Sequence, residues 1–224
     1  MPPQILTCEQ RSDEWYQARL GMATASQIAA LITPKTFKVA SNTTSRELVT
    51  RLAAERISGR VEPTHTTASM WRGIEEEPLA REAYEAHTGQ AVEQVGFMIR
   101  DDDGVRIGYS PDGLVGDDGL IEIKSRTNRI QVESVLDGIN GFTMAQLQCG
   151  LYVSERSWLD YVSYSGGLHL WIDRVYPGDP WQAVIREAAE KLEHDIAAIT
   201  ARYMERVNGL PIMPVTPDYS EIEV

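Results

Sequence analysis

The stretch Ile107-Gly108-Tyr109-Ser110-Pro111-Asp112-Gly113-Leu114-Val115-Gly116-Asp117-Asp118-Gly119-Leu120-Ile121-Glu122-Ile123-Lys124 decides how this chain is read. Two β-like runs, 105–109 and 120–124, flank Asp/Gly-rich turn chemistry. Side chains alternate along a strand, so Glu122 and Lys124 share one face while Ile121 and Ile123 point the other way. The apolar pair anchors the strand in a core and leaves a carboxylate beside an amine. Gly116 to Gly119 reads as a turn that folds the chain back and brings Asp112 alongside Glu122.

Two carboxylates on neighbouring strands suit Mg²⁺, which takes a few carboxylates, retains water and accepts phosphate oxygens. Bound there, the ion stabilises charge on phosphate and lowers the pKa of a coordinated water. Lys124 can orient that water, accept its proton or neutralise developing phosphorane charge. The base role needs a lowered pKa, which an adjacent cation favours. Taken alone, Glu-x-Lys is usually a solvated salt bridge and Asp112-Gly113 an ordinary turn. Asp117, Asp118 and Asp101-Asp102-Asp103 read as solvated turns.

Two further segments change that balance. In Trp71-Arg72-Gly73-Ile74-Glu75-Glu76-Glu77-Pro78-Leu79-Ala80, complementing a helix dipole accounts for Glu75 and Glu76. Glu77 also sits where a helix carboxylate would complete a metal site. In Met144-Ala145-Gln146-Leu147-Gln148-Cys149-Gly150-Leu151-Tyr152, the residues Met144, Leu147 and Leu151 supply a core stripe, and Gln148 and Tyr152 stack at i, i+4. On an ordinary helix these glutamines are surface residues; after a metal-bearing strand they can hold phosphate or a metal-bound water.

Working outward, helical patterns cover 12–21, 24–32, 45–58, 68–87 with a break or restart near Pro78, 128–137, 142–153 and 179–207. Residues 59–67 read as a loop. Strand patterns cover 92–100, 105–109, 120–124, 158–164 and 168–175, the last two joined as a hairpin at Gly166-Gly167. Asp179 reads as the cap of the final helix with Pro180 at its first position; Asn208-Gly209 stops it, and Pro211 prevents its resumption. The expectation is one α/β domain over 1–224, a central mixed sheet flanked by helices and ending in a long C-terminal helix.

Composition narrows the function. Of the 224 residues, 42% are apolar and 24% charged, ordinary for a globule, and no apolar run approaches a membrane span. The start, Met1-Pro2-Pro3-Gln4, lacks the pattern of a signal peptide, and a cytoplasmic location is expected. Cys8 and Cys149, the only cysteines, cannot supply a four-cysteine zinc or iron–sulfur site. The net charge of −12 opposes a protein coated in DNA, since affinity for phosphates comes from Lys and Arg. A nuclease of this charge must gather its bases in a groove or channel.

In this order, the segments resemble the phage lambda exonuclease family of viral recombinases, within the restriction-endonuclease-like nucleases. The resemblance runs from Glu14-Trp15, Arg19-Leu20-Gly21 and Thr24-Ala25-Ser26 through Gly73 with Glu77. It continues through Ser110-Pro111-Asp112-Gly113-Leu114, Glu122-Ile123-Lys124 and Met144-Ala145-Gln146 with Gln148. It implies that Asp112, Glu122 and the backbone carbonyl of Ile123 bind Mg²⁺, with Glu77 as the helix carboxylate, Lys124 as the catalytic lysine and Gln146 lining the site. A pair of ions per site is implied, with Mn²⁺ able to substitute. Arg19, Ser26 and Ser110 fall on positions that hold a 5′-terminal phosphate, and Gln148 is counted with the substrate contacts. The plainer alternatives are a salt bridge from Arg19 to Glu14, and helix capping or a turn for the serines.

The family implies 5′→3′ digestion of double-stranded DNA ends by a three-subunit ring, a homotrimer, in phage-type recombination with a single-strand annealing protein. Such a protein is phage- or prophage-encoded and works in the bacterial cytoplasm. The rivals are an endonuclease of restriction or repair and a non-catalytic DNA-end adaptor. Lys35, Lys38 and Arg46, in and after the 33–44 loop, are candidate DNA contacts or solvated loop charges, and the tail beyond Gly209 carries no assignment.

Overall fold

The computed structural model describes residues 2–61 and 67–215. Part of the expected 59–67 loop and the end of the tail, 216–224, lie outside the described residues.

The chain opens with a strand, β1 (Gln4–Leu6), and a short helix, α1 (Asp13–Ala18), capped by the Ser12 hydroxyl accepting the Trp15 N–H. This helix is shorter than the 12–21 expected. Gly21 turns the chain at φ 59°, where its N–H meets the buried Glu55 carboxylate and its carbonyl accepts from Arg56. A Cβ at Gly21 would lie 2.2 Å from the Arg56 side chain, so glycine is required twice over.

The helix expected over 24–32 is instead β2 (Ala23–Thr24), a 3₁₀ turn at Ala25–Ala30 and the first strand of the hairpin β3 (Ile32–Thr33) and β4 (Lys38–Val39). Its apolar spacing was real, since Ile28, Leu31 and Ile32 are all buried. Thr24, however, pairs with Gly108 of a neighbouring strand, and sheet pairing overrides the local helical preference.

Helix α2 (Thr43–Ser58) begins two residues before the expected 45, because Asn42 and Ser45 form a reciprocal cap. Helix α3 (Ala68–Thr88) runs unbroken through Pro78, where a restart was expected. An interior proline costs about 3 kcal/mol. Anchors on both sides offset this: Arg72 and Glu76 bond to Ser125 before it, and Ala80 and Tyr84 are fully buried after it.

The run expected as one strand over 92–100 divides into β5 (Val92–Glu93) and β6 (Phe97–Asp102). The bend falls at Gly96, where a Cβ would meet the Cys8 carbonyl at 1.9 Å. Then follow β7 (Val105–Tyr109), β8 (Gly113–Val115), β9 (Gly119–Ser125), α4 (Asn128–Asp137), α5 (Gly141–Ser154), β10 (Trp158–Tyr164), β11 (Trp171–Val175) and α6 (Asp179–Arg206). β10 and β11 pair as a hairpin, but through residues 165–170 rather than a two-residue Gly166-Gly167 turn. Gly178, not Asp179, occupies the capping position of α6.

The expected single central sheet is divided between a five-stranded sheet, β11-β10-β9-β8-β5, and a four-stranded sheet, β1-β6-β7-β2. Both are mixed: β9 runs parallel to β10, and β2 parallel to β7, while the other pairs are antiparallel. One face of the β9–β10 pair, with Leu120, Leu159 and Tyr161, joins the cluster formed with Leu147 and Leu151 of α5 and Ile185 of α6. The other face, with Ile121, Ile123 and Val162, packs with Ala80 and Tyr84 of α3. The central strands are thus buried on both sides, as their near-continuous apolar sequence requires. Among the described residues no helix is long and apolar enough to cross a membrane.

Candidate active site

Asp112 directly precedes β8, whose antiparallel register with β9 pairs Gly113 with Ile121. One more step along that register sets Asp112 opposite Glu122, as the Gly116–Gly119 turn predicts. Asp112 Oδ2 accepts the Ile123 N–H at 2.6 Å, which locks the carboxylate onto β9. Gln10 holds the preceding turn by donating to the Pro111 carbonyl at 2.9 Å and the Val95 carbonyl at 3.1 Å. A glutamine so far away in the chain gave no sequence signal.

Glu122 is 2% exposed and fully engaged. Its Oε1 accepts from Lys124 Nζ at 2.7 Å and from the Gln146 amide, and its Oε2 accepts from the Tyr109 hydroxyl at 2.8 Å. The structure therefore brings Asp112, Glu122, Lys124 and Gln146 together. The strand pattern of 105–109 gives Tyr109 no role in the site. Its ring enters because Gly150 of α5 leaves room, a Cβ there falling 2.8 Å from the ring, and its buried hydroxyl needs an acceptor.

The electrostatics of the pair are opposed. Burial first, then the charges of Glu122 and Glu77, push the Asp112 carboxyl well above its usual range; Lys124 and the Ile123 N–H act against this. Burial disfavours charge on Lys124, but Glu122 and Asp112 outweigh it and hold the amine above its ordinary pKa. In the protein alone, then, Lys124 is an ammonium, without the lowered pKa that a base requires. A divalent cation between the carboxylates would convert their repulsion into attraction and favour loss of that proton. The donor set fits such an ion. Among the described residues, no three Asp, Glu, His or Cys side chains gather closely enough to hold one unaided. The remaining ligands must be carbonyl, water and substrate oxygens, as Mg²⁺ prefers.

Glu77 stands near the pair, but its carboxylate is bound by Arg81 one helical turn on, and Arg81 also reaches the Asp112 carbonyl at 3.3 Å. Glu76 does more than complement a helix dipole: it accepts from Ser125 at the end of β9, which also accepts from Arg72 Nε at 3.2 Å. The substrate role expected for Gln148 does not fit its position. It is 3% exposed, its amide donates to the Tyr176 carbonyl at 2.8 Å, and its oxygen accepts from the Gly178 N–H at 2.9 Å. Gln148 fastens the start of α6, and helical periodicity alone could not reveal that its face was covered.

A second polar cluster lies just before Asp112 in the chain. Ser110 Oγ accepts from Trp15 Nε1 at 2.9 Å and from Arg19 Nη1 at 3.3 Å. The Arg19 guanidinium lies 3.9 Å over the Trp15 ring, and burial lowers its pKa to about 10. No ion pair joins it to Glu14 among the described residues. Ser26 is exposed at the start of the 3₁₀ turn, with its hydroxyl 3.2 Å from that of Thr24. The 33–44 loop holds the β3–β4 hairpin, with Phe37 packed edge-on against Trp181; Lys35, Lys38 and Arg46 are all exposed.

Over residues 14–157 the chain matches the model of the YqaJ-like viral recombinase domain. It is similar to the crystal structure of an alkaline exonuclease, LHK-Exo, from Laribacter hongkongensis, with 31% identity and a TM-score of 0.78, covering 89% of this chain and 100% of that one. LHK-Exo in complex with dAMP matches at the same identity and coverage with a TM-score of 0.77. A phage-related exonuclease from Haemophilus somnus 129PT shares the fold, with 13% identity and a TM-score of 0.59 over 81% of this chain and 96% of that one. No curated protein sequence matches.

Proposed function

The chain belongs to the YqaJ-like viral recombinase family, and from that premise we propose that it is a Mg²⁺-dependent exonuclease degrading one strand of linear duplex DNA from 5′-phosphorylated ends. Its restriction-endonuclease-like α/β fold and likeness to an alkaline exonuclease place it among recombination nucleases. The observation that carries the finer reading is the facing pair of half-buried Asp112 and buried Glu122, with Lys124 bonded to Glu122.

Asp112, Glu122 and the Ile123 carbonyl would hold Mg²⁺, which when bound would supply Lewis-acid stabilisation of phosphate charge and lower the pKa of water. Tyr109 and Gln146 keep Glu122 oriented, so little reorganisation is needed when charge develops. Lys124 orients the attacking water or moves its proton, the latter once the carboxylates no longer hold its ammonium form. Arg81 fixes Glu77 and the Asp112 backbone relative to each other. Ser110, bonded by Arg19 and Trp15, places a guanidinium and a hydroxyl together where they would hold a terminal phosphate. Two residues of chain, at most roughly 7 Å, separate Ser110 from Asp112, so an end held at one is measured off against the other.

With a net charge of −12, DNA engagement requires bases gathered on an inner surface; a homotrimeric ring with an acidic rim provides one. A single-strand annealing protein in the bacterial cytoplasm would receive the exposed strand.

The test is digestion of a linear 5′-phosphorylated duplex beside covalently closed circles, with Mg²⁺ or Mn²⁺. Loss of the linear DNA alone, abolished by Lys124→Ala, is the expected outcome. Equal cutting of circles would overturn the end-dependent reading in favour of an endonuclease; binding of ends with no digestion by wild-type protein would leave only a DNA-end adaptor, and undiminished digestion by Asp112→Asn would overturn the carboxylate site. Arg19→Ala should erase the preference for 5′-phosphate over 5′-hydroxyl ends, and the native mass should be that of a trimer.

A further inference from the structure

We infer that Arg126 is an additional substrate-positioning residue, which binds a phosphate flanking the scissile one on the strand being cut; this rests on the nuclease reading. The backbone supplies the first observation. The Arg126 N–H donates to the Tyr164 carbonyl at 2.8 Å, so the β9–β10 ladder continues one residue beyond Ser125. Alternation then sets Arg126 on the same side of the chain as Glu122 and Lys124, two residues past the lysine, a step of about 6.6 Å. The three side chains form one row: carboxylate, amine, guanidinium.

The second observation is how little Arg126 is used by the protein itself. Its Nη2 donates to the Tyr161 hydroxyl at 3.1 Å, on the residue paired with Glu122 across the strands. Its Nε is buried without a hydrogen-bond partner, and among the described residues no carboxylate pairs with it. Among the described residues the other such buried nitrogen belongs to Arg81, whose guanidinium already bonds Glu77 and the Asp112 carbonyl. A partly buried guanidinium with no acid, whose charge acts directly on Lys124, is poorly explained as a structural tie. A buried donor ordinarily finds an acceptor. A phosphate oxygen reaching this row would supply one, and the planar fork of arginine suits it better than a point charge.

The experiment measures binding of a 5′-phosphorylated duplex against salt concentration, with Ca²⁺ replacing Mg²⁺, together with steady-state digestion in Mg²⁺. Wild-type protein, Arg126→Gln, Arg126→Lys and Tyr161→Phe are compared. Loss of one phosphate contact should reduce the slope of log K against log salt by about one in Arg126→Gln. KM should rise about tenfold with kcat within about twofold, the mark of an interaction made equally in ground and transition states. Arg126→Lys should restore the slope, and Tyr161→Phe should keep it. An Arg126→Gln protein with the wild-type slope and KM, whatever its melting temperature, overturns the inference. If wild-type protein digests no DNA but the slope still falls in Arg126→Gln, the phosphate contact stands and the exonuclease reading fails. If wild-type protein binds no DNA, both are overturned.

Discussion

Adjacent strands β9 and β10 each bury a carboxylate, and the two point to opposite faces of the same sheet. On the α3 side, Asp160 is 2% exposed, bonded by Arg174 through two nitrogens at 2.7 and 2.8 Å and by the Tyr84 hydroxyl at 2.8 Å. Arg174 stacks 3.6 Å from the Trp158 ring, and its bond to Asp160 raises its pKa. On the α5 side, Glu122 is equally buried and has a tyrosine and a cation of its own, but it faces a second acid. The first cluster is closed, with one charge of each sign and both oxygens used. The second carries a repulsion that the protein does not resolve internally. A buried ion pair by itself is therefore poor evidence of function; the unrelieved carboxylate beside it is the informative feature.

The contrast is broken most directly by activity. Asp112→Asn and Glu122→Gln should each lower DNA digestion by about 10²–10³-fold or more, read as kcat on linear duplex. Asp160→Asn should leave kcat per folded molecule close to wild type. If Asp160→Asn abolished activity in folded protein, the division between the faces would fail.

Stability should move the opposite way. Removing the Asp160 charge leaves Arg174 unpaired, costing about 2–4 kcal/mol in denaturant unfolding, toward the lower end because Arg174 is 38% exposed. Asp112→Asn relieves repulsion and should raise the melting temperature in metal-free buffer. Mg²⁺ should then stabilise wild-type protein, by about 2.7 kcal/mol at a concentration a hundredfold above Kd, and have no effect on Asp112→Asn.

The pH dependence sharpens this. Asp112 has a folded pKa raised above its unfolded value, so the folded state retains a proton that the unfolded state releases. Its contribution is fully present below about pH 4 and is lost as pH rises toward the folded value. Metal-free wild-type protein should lose stability across that window relative to Asp112→Asn; parallel curves would remove the charge conflict from the account. The smallest effect is expected at Gln148→Ala, a loss of about 1–3 kcal/mol in stability with DNA binding unchanged.

Much of this was legible from residue spacing. Asp112, Glu122 and Lys124 come together because strand alternation and a glycine-flanked turn are local rules, and the Gly116–Gly119 turn obeys them. Gln146 came from the family resemblance rather than from spacing; α5, after α4 has led the chain away from β9, brings it back against Glu122. The misreadings share a cause. Thr24 leaves its helical pattern for a strand partner 84 residues later, Pro78 sits in a helix anchored at both ends, and Gln148 is covered by the start of α6. In each, a distant contact overrode a correct local preference.

From the sequence alone come the candidate site groups, their shared strand face and the turn that pairs the carboxylates, since period-two alternation needs no knowledge of the remaining chain. Only the tertiary structure decided which carboxylate is left in conflict. That depends on Tyr109, Arg81, Arg174 and Arg126 arriving from separate elements, and on burial, which strengthens every charge interaction and is a property of the packed whole.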